Sequence, residues 1–225
     1  MPKMILYHGS EKIISKPVFG AGKAYNDYGL GFYCTQDIEL AKEWACPSLN
    51  DGFSNCYELK TDGLRVLDLQ SEKFCTLHWL ALLIANRRFD MDTPIMRQAA
   101  YYLRTNFLPE ISRFDLIRGY RADDSYFSFV QAFLSNQISY AQLQNAMKLG
   151  KLGEQIVLKS KKAFNLIEFK NYELAEGKKY YGLRLKRMEK ARAEYKKSLE
   201  DSDISGLFIR DLILGDVKED DPRLR

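Results

Sequence analysis

The sequence has few of the residues that build metal centres or secreted disulfide frameworks. It contains two histidines, His8 and His78, and four cysteines, which stand at positions 34, 46, 56 and 75 without a Cys-x-x-Cys pair. This spacing supplies neither the clustered ligands of a zinc site nor the dense, even cysteines of a small secreted domain. We therefore expect no metal, and reduced thiols that are mostly buried.

Long apolar runs are also missing. No stretch of 18 apolar residues occurs, and the first ten residues, MPKMILYHGS, hold too short an apolar run for the core of a signal peptide. These absences predict a soluble, cytoplasmic protein without a membrane partner. The 225 residues suffice for one compact domain with an appendage, and a hydrophobic content of 46% excludes a disordered chain.

Neither sign of charge dominates the whole chain. Lys and Arg number 34 and Asp and Glu number 30, which gives a net charge of +4. The segment 176–200 holds nine positive and four negative residues, so its own charge of +5 exceeds that of the chain. An anionic partner would therefore be attracted to this segment first.

Short strand patterns interrupted by helical ones predict an α+β fold. Strands are expected at 4–7, 31–35, 56–60, 64–69, 114–120, 155–160 and 163–169. The first is expected to stop at the turn His-Gly-Ser, and the third and fourth to pair as a hairpin across Thr-Asp-Gly. We expect residues 1–170 to form one domain with a helical insert at about 71–108, and residues 171–225 to form a C-terminal helical extension packed on the same domain.

Helices are expected at 37–47, 71–86, 94–107, 139–150, 176–200 and 204–214, with another that opens after residue 121. The residues expected to cap helices are of the types that accept backbone N–H bonds: Asp37, Asp123 or Asp124, and Ser139. The long basic helix at 176–200 shows a narrow apolar stripe that consists of Leu183, Leu185, Met188, Ala191 and Tyr195. The acidic tail at 219–221 is expected to be frayed.

Three residues with useful chemistry lie at strands: His8 after the first, Tyr33 in the second and Glu154 at the entry of the sixth. Each alone is weak evidence for a site. A single histidine beside glycine is more often structural, and Gly29-Leu-Gly31 lacks the third glycine and the strand–helix context of a dinucleotide fingerprint. Their order along the chain is more specific than any one of them.

A resemblance is carried by three segments: Leu-Tyr-His-Gly-Ser around His8, Gly-Leu-Gly-Phe-Tyr-Cys-Thr around Tyr33, and Gly-Glu-Gln-Ile-Val-Leu around Glu154. Together they resemble the His-Tyr-Glu order of the ADP-ribosyltransferase superfamily, which includes diphtheria-toxin-like enzymes and the poly-ADP-ribose polymerases. The chain resembles more closely a bacterial family called domain of unknown function 3990, over nearly its whole length. The closer match includes the segments 27–31, 114–127, 152–155 and 206–211. The resemblance implies a split β-sheet core and NAD as co-substrate.

The resemblance also implies roles for the first residues of the site. His8 would bind the adenosine ribose of NAD, and the backbone of Gly9 would pair with the nicotinamide carboxamide, where a side chain would obstruct the approach. Tyr33 would stack on the nicotinamide ring. The polymerase branch has a second aromatic residue eleven positions later, where this chain has Trp44. Trp44 would then cover the other face of the ring, or it is simply part of the helix core.

The catalytic carboxylate implied by the resemblance is Glu154, which would stabilise the oxocarbenium character of the transition state. Related sequences emphasise the next residue, Gln155, and strand neighbours face opposite sides, so only one of the two can face the site. Arg121 would pair with the NAD pyrophosphate, or form a structural pair with a nearby Asp. The polymerase branch also has a serine where this chain has Ala41.

The resemblance thus predicts a NAD-dependent ADP-ribosyltransferase that modifies a macromolecular acceptor, as a bacterial toxin of a toxin–antitoxin pair. Two alternatives stay open. One is a pseudoenzyme that binds NAD without transfer, which Ala41 and the Glu154/Gln155 ambiguity favour. The other is a nucleic-acid-interacting module that uses the basic helix at 176–200.

Overall fold

The computed structural model describes residues 2–122, 124–149, 153–200 and 205–224. Contacts within the chain group it into two compact units, each built from three separate stretches. The first comprises Met1–Asp68, Glu110–Gly119 and Gly153–Arg187. The second comprises Leu69–Pro109, Tyr120–Leu152 and Met188–Arg225.

The described residues form seven strands and eight α-helices, which confirms the α+β class. The strands are β1 (Lys3–Ser10), β2 (Phe32–Cys34), β3 (Gly52–Lys60), β4 (Val66–Asp68), β5 (Leu116–Tyr120), β6 (Glu154–Leu158) and β7 (Ile167–Ala175). The helices are α1 (Ile38–Ala45), α2 (Thr76–Asn86), α3 (Pro94–Phe107), α4 (Asp124–Leu134), α5 (Tyr140–Leu149), α6 (Lys161–Asn165), α7 (Gly177–Glu200) and α8 (Ile209–Leu214).

The strands of the first unit form two sheets. One has the order β1-β3-β7 and is antiparallel, and the other has the order β2-β6-β5-β4. Their apolar side chains share one buried cluster, which contains Leu6 and Leu59 from the first sheet and Cys34, Ile156 and Leu158 from the second. The burial of this cluster holds the two sheets together.

The second unit is helical. Helix α2 packs on α3, α3 packs also on α4 and α8, and α4 packs on α5. Helix α2 is apolar on every side, and its residues 77–84 are all buried, which is typical of a helix at the centre of a bundle. The helical insert expected at about 71–108 corresponds to α2 and α3.

Two of the expected caps are confirmed. The Asp37 carboxylate accepts the backbone N–H groups of Glu39 (2.9 Å) and Leu40 (3.2 Å). Ser139 accepts from Gln142 N, and the Gln142 side chain accepts from Ser139 N, which forms a capping box. Helix α4 begins at Asp124. The expected cap at Asp123 and the helix end at Gly150 lie outside the described residues. Ile204 also lies outside them, but the helix expected at 204–214 is wrong over 205–208, which are described and not helical, and α8 begins at Ile209.

The expected end of the first strand and the expected hairpin are both wrong. Strand β1 continues through His8-Gly-Ser and pairs with β3 as far as Ser10 opposite Phe53. Strand β4 pairs in parallel with β5, in the other sheet from β3. The reason is a set of long-range bonds at Arg65, which donates its N–H to the Asp115 carboxylate and whose carbonyl accepts from Asp115 N and Leu116 N. These bonds direct the chain away from β3.

The strand expected at 163–169 is wrong in its first half. Ser160 accepts the N–H of Ala163 and caps the short helix α6, and strand β7 begins only at Ile167. Strand β7 runs to Ala175, so the expected domain boundary at residue 170 falls inside a strand. Within the expected extension, residues up to Arg187 group with the first unit and later ones with the second.

The expected basic helix is α7, and its expected apolar stripe is wrong in part. Leu183 and Leu185 are 40% and 39% exposed, whereas Ala191 of the stripe is buried and Met188 is half-buried. Tyr180, which was not expected in the stripe, is also buried. The residues after α8 are anchored rather than frayed, since Leu224 is buried and its carbonyl accepts from the Tyr140 hydroxyl. No helix in the described part of the chain combines the length and apolarity that crossing a bilayer requires.

Candidate functional site

The two sheets meet where β1 passes β2. Tyr7 N donates to Thr35 O (2.7 Å) and Thr35 N donates to Tyr7 O (2.9 Å), which forms a single antiparallel bridge between the sheets. His8 directly follows Tyr7, and Tyr33 lies two residues before Thr35. The bridge therefore brings two of the sequence-predicted site residues to one junction.

Side chains at this junction point to two sides, because strand residues alternate. We call the side that carries Leu6 and Ile156 in the buried cluster the inner side, and the opposite one the outer side. His8 lies two residues after Leu6 and so on the inner side, and Gly9 lies on the outer side. The bridge partners Tyr7 and Thr35 are both on the outer side.

The His8 ring is held in one orientation. Its Nδ1–H donates to the carbonyl oxygen of Tyr33 (2.7 Å), and its plane stacks on Phe32 with ring centroids 4.4 Å apart. With the proton on Nδ1, the neutral ring carries an acceptor lone pair on Nε2. Burial lowers the pKa of His8, and the hydrogen bond to Tyr33 offsets only part of this effect. His8 is therefore a neutral, oriented acceptor at neutral pH.

Acidification is expected to destabilise the protein through His8. Because its pKa is lowered in the folded state, the unfolded chain binds the proton first, so stability is complete above about pH 6.5 and falls as the pH drops below that value. Urea unfolding of the wild type and of His8→Asn at several pH values should show a smaller loss in the variant. An equal loss of unfolding free energy in the two proteins would contradict the lowered pKa of His8.

Tyr33 lies on the outer side of β2, since the inner residues Phe32 and Cys34 flank it in the strand. Its hydroxyl donates to Gly29 O (2.5 Å) and accepts from Tyr28 N (3.1 Å). The ring is thus tied to the loop before β2 while the side chain stays partly exposed. A partly exposed, immobilised ring is suited to stacking on a planar ligand.

A side chain at Gly9 would collide with helix α1. A Cβ atom at Gly9 would lie 2.0 Å from Ala41 O, 2.7 Å from Ala45 N and 2.8 Å from Trp44 Cβ. The glycine therefore permits α1 to pack directly on β1. The same contact places the Cβ atom of half-buried Trp44 over the outer side of β1, which is also the side of Tyr33.

The register of β2 and β6 determines where Glu154 and Gln155 lie. Tyr33 pairs with Val157, and Cys34 pairs with Ile156. Directly paired residues share a side, so Gln155 lies with Tyr33 on the outer side and Glu154 lies on the inner side. The three residues of the expected order are therefore divided, with His8 and Glu154 inner and Tyr33 outer.

Glu154 is part of a charged row across three strands. The Arg118 side chain donates from Nε to Glu154 Oε1 and from Nη2 to Glu154 Oε2 (2.8 Å), a bidentate pair. Arg118 Nη1 also lies 3.6 Å from the carboxylate of Asp68, its register partner on β4. The hydrogen bond to Glu154 raises the pKa of Arg118 above its ordinary value. The row contains two carboxylates and one guanidinium, and each of its side chains is partly exposed.

Gln155 is buried and anchors the loop before β2. Its Nε2 donates to the Asp27 carboxylate (2.8 Å), and both residues are at most 5% exposed. Lys159, also on the outer side of the sheet, donates from Nζ to the carbonyl oxygens of Tyr28 and Leu30. Asp27 and Gln155, which belong to two different segments of the family resemblance, therefore meet in one buried contact. This contact gives Gln155 a structural role.

Arg121 is half-buried directly after β5 and belongs to the second unit, whereas every other expected site residue belongs to the first. Arg118 and Phe32 are contacts of Glu154 and His8 that the sequence reading did not single out. The alternation along β5 predicts that Arg118 and Leu116 lie on the same side of the sheet. A contact between Arg118 and Glu154 could not be predicted from it, because the sequence does not show that β5 and β6 are neighbours.

Among the comparisons with known proteins, only the one with protein families gives a match. No curated protein and no solved structure matches the chain. The family model described as "Protein of unknown function (DUF3990)" matches residues 4–169 of the 225, which include every site residue described above. The chain therefore belongs to the DUF3990 family of proteins of unknown function.

Proposed function

We propose that this protein is a NAD-dependent ADP-ribosyltransferase whose co-substrate lies across the junction of β1 and β2. The observation that carries the proposal is the hydrogen bond from His8 Nδ1 to Tyr33 O, which couples an oriented histidine to an immobilised aromatic residue at the junction of two sheets. Outer side chains then face the nicotinamide ring, and inner side chains face its ribose and the adenosine ribose.

The outer side supplies the surroundings of the nicotinamide. Tyr33 stacks on the cationic ring. Trp44, whose Cβ atom also lies on the outer side, covers the other face of the ring. The backbone of Gly9 pairs with the carboxamide. On the inner side, His8 Nε2 accepts a hydrogen bond from a hydroxyl of the adenosine ribose, because its proton is held on Nδ1 by the Tyr33 carbonyl.

Glu154 supplies the negative charge for bond cleavage. As the bond between C1′ of the ribose and the pyridinium nitrogen breaks, its electron pair leaves with nicotinamide and positive charge develops on the ribose. The acceptor then attacks C1′ and loses its proton. Each carboxylate oxygen has two lone-pair positions, so the bidentate bond to Arg118 leaves Glu154 able to accept from the ribose hydroxyls.

Arg118 is a positioning residue in this scheme. It fixes both oxygens of Glu154 and is itself held by Asp68 on the next strand. Gln155 and Asp27 act at a greater distance, by holding the loop that carries Tyr28 and Gly29 against Tyr33.

The proposal is tested by incubating the purified protein with labelled NAD and a bacterial lysate. We expect release of nicotinamide and transfer of label to a macromolecule, and separate protease and nuclease treatments would identify the acceptor class. A wild-type protein that binds NAD but releases no nicotinamide with any fraction of the lysate would contradict the transferase assignment.

Binding of NAD without transfer is the second candidate. The specific observation in its favour is that both oxygens of Glu154 are already bound by Arg118 while Gln155, on the side of Tyr33, is committed to Asp27. Calorimetry that detects NAD binding, combined with the absence of nicotinamide release, would select this candidate. A toxin–antitoxin role would add a partner, and the basic helix α7 is the first surface to test with an acidic antitoxin or nucleic acid.

A further inference from the structure

A second cluster of reactive side chains lies in the helical unit, at the start of α2. Cys75 is the N-cap residue of this helix, and His78 is its third residue. The spacing of histidines and cysteines along the sequence predicts no ligand cluster at His78. The pattern Cys75-x-x-His78 nevertheless spaces these two side chains by one helical turn. Cys75 lines a cavity of about 410 Å³, which lies entirely within the second unit.

The hydrogen bonds of His78 fix the tautomer of its neutral ring. Its Nδ1 accepts the backbone N–H of Cys75 (3.1 Å) and lies 3.3 Å from Cys75 Sγ. Its Nε2 lies 3.2 Å from Glu219 Oε2. An Nδ1 that accepts from a backbone N–H carries no proton, so Nε2–H donates to Glu219 and Nδ1 is the base that faces the thiol. The order is thiol, imidazole, carboxylate, which is the order that activates cysteine nucleophiles.

The cluster is rigidly supported. The buried His78 ring makes edge contacts with Phe74 (5.2 Å between centroids) and Phe107 (5.6 Å). Glu219 belongs to the anchored C-terminal segment, in which the Val217 carbonyl accepts from the Tyr102 hydroxyl. The imidazole is therefore held in place by packing on Phe74 and Phe107, and the exposed carboxylate of Glu219 accepts from its Nε2–H.

Cys75 differs in its environment from the other three cysteines. Burial alone would raise the pKa of the Cys75 thiol, but the hydrogen bond to His78, the positive charge of protonated His78, and hydrogen bonds with the backbone of Leu77 and the side chain of Tyr140 together lower it. Burial raises the pKa values of Cys34, Cys46 and Cys56. Cys56 is partly exposed like Cys75, so the chain contains its own reference thiol.

The cavity indicates which electrophiles could reach Cys75. Its apolar wall includes Leu69, Trp79 and Leu224, and it is also lined by the carboxylates of Glu72 and Glu219. The titratable and charged groups around the thiol are His78, Glu72, Glu219 and the hydroxyls of Tyr120 and Tyr140, with Lys73 and Asp220 on the adjoining surface. Carboxylates at the opening favour a small ligand that carries positive charge.

We propose that Cys75 is a nucleophilic thiol that forms a mixed disulfide with small, positively charged disulfides. His78 Nδ1 gives up the hydrogen bond from the Cys75 backbone N–H and takes the thiol proton with the same lone pair, and Cys75 Sγ attacks one sulfur of the ligand. The S–S bond of the ligand breaks as the new one forms, and the leaving thiolate takes the proton from His78. The protein thiol is oxidised and the small disulfide is reduced, so the step needs no other reagent.

The first test measures thiol reactivity with the neutral reagent iodoacetamide at about pH 6.5, followed by peptide mass mapping. Cys75 should be alkylated faster than Cys56, because its thiol pKa is lowered and that of Cys56 is raised, and each unit of pKa changes the thiolate fraction about tenfold. His78→Gln should remove this advantage while keeping a side-chain acceptor for the helix cap. Glu219→Gln, which leaves the buried ring in place, should reduce it. Equal rates for Cys75 and Cys56 in the wild type, or an unchanged advantage in folded His78→Gln, would overturn the proposal.

The second test compares two disulfides on the full chain by mass spectrometry. Cystamine, which is cationic, should modify Cys75 about tenfold faster than oxidised glutathione, which is anionic, and added salt should narrow the difference. Glu72→Gln should also narrow it, whereas Glu11→Gln, an exposed change in the first unit, should not. Faster reaction with oxidised glutathione, or no Cys75 adduct with either reagent, would overturn the assignment of the ligand.

Discussion

Glu154→Gln is expected to lower nicotinamide release from NAD by about 10²- to 10³-fold, the range seen when a preorganised electrostatic group is removed from an active site. The amide keeps the size and an acceptor oxygen of Glu154 but removes the charge that opposes the oxocarbenium ion. NAD should still bind, because Tyr33 and His8 are untouched. The effect should therefore appear in the turnover number rather than in the affinity.

The stability of Glu154→Gln should change little. Glu154 and Arg118 are both partly exposed, and Arg118 keeps Asp68 as a second carboxylate partner, so loss of the pair should cost no more than about 1 kcal/mol. Thermal unfolding of the variant separates loss of catalysis from loss of fold.

Glu168→Gln is the matched control for this experiment. Glu168 is an exposed carboxylate on β7, in the other sheet of the same unit, and its variant should release nicotinamide at the wild-type rate. Equal turnover by Glu154→Gln and Glu168→Gln would remove Glu154 from the mechanism. A separate outcome is possible for the wild type. If it binds NAD but releases no nicotinamide, the protein is the binding module of the second candidate.

The parts of the fold that the sequence predicts are those with local causes. Asp37 and Ser139 cap their helices through bonds to residues within three positions, so the sequence pattern contains both partners. The hairpin prediction is wrong because the backbone N–H of Arg65 donates to the carboxylate of Asp115, fifty residues away along the chain. No local pattern at 61–69 contains that contact, and long-range pairing overrides turn preference.

The site shows the same division. The order His8, Tyr33, Glu154 is visible in the sequence, but the sides on which these residues lie depend on the register of β2 and β6. A shift of one residue would exchange Glu154 and Gln155. The burial of Gln155 with Asp27 is likewise a contact across 128 residues. Residue types and their order could thus be predicted, whereas their orientation required the paired strands.

Gly9→Ala is expected to destabilise the first unit by about 3 kcal/mol or more, at the upper end of the range for overpacked sites. The added methyl group would lie 2.0 Å from Ala41 O and 2.7 Å from Ala45 N, and backbone atoms of a helix cannot turn aside as a flexible side chain can. Relief requires α1 to move away from β1. For a chain of this size the loss corresponds to a melting temperature lower by about 6–12 °C.

Gly182→Ala provides the matched control, because the same methyl group added there meets nothing within 4 Å. Gly182 lies inside α7 in the same unit, so alanine should raise stability by about 0.5–1 kcal/mol through its helix propensity. Urea unfolding followed by circular dichroism should move the two midpoints in opposite directions. A wild-type midpoint for Gly9→Ala would mean that α1 is not held against β1 at Gly9. Because Trp44 is carried by α1, NAD affinity in Gly9→Ala should fall together with stability, whereas Gly182→Ala should bind NAD as the wild type does.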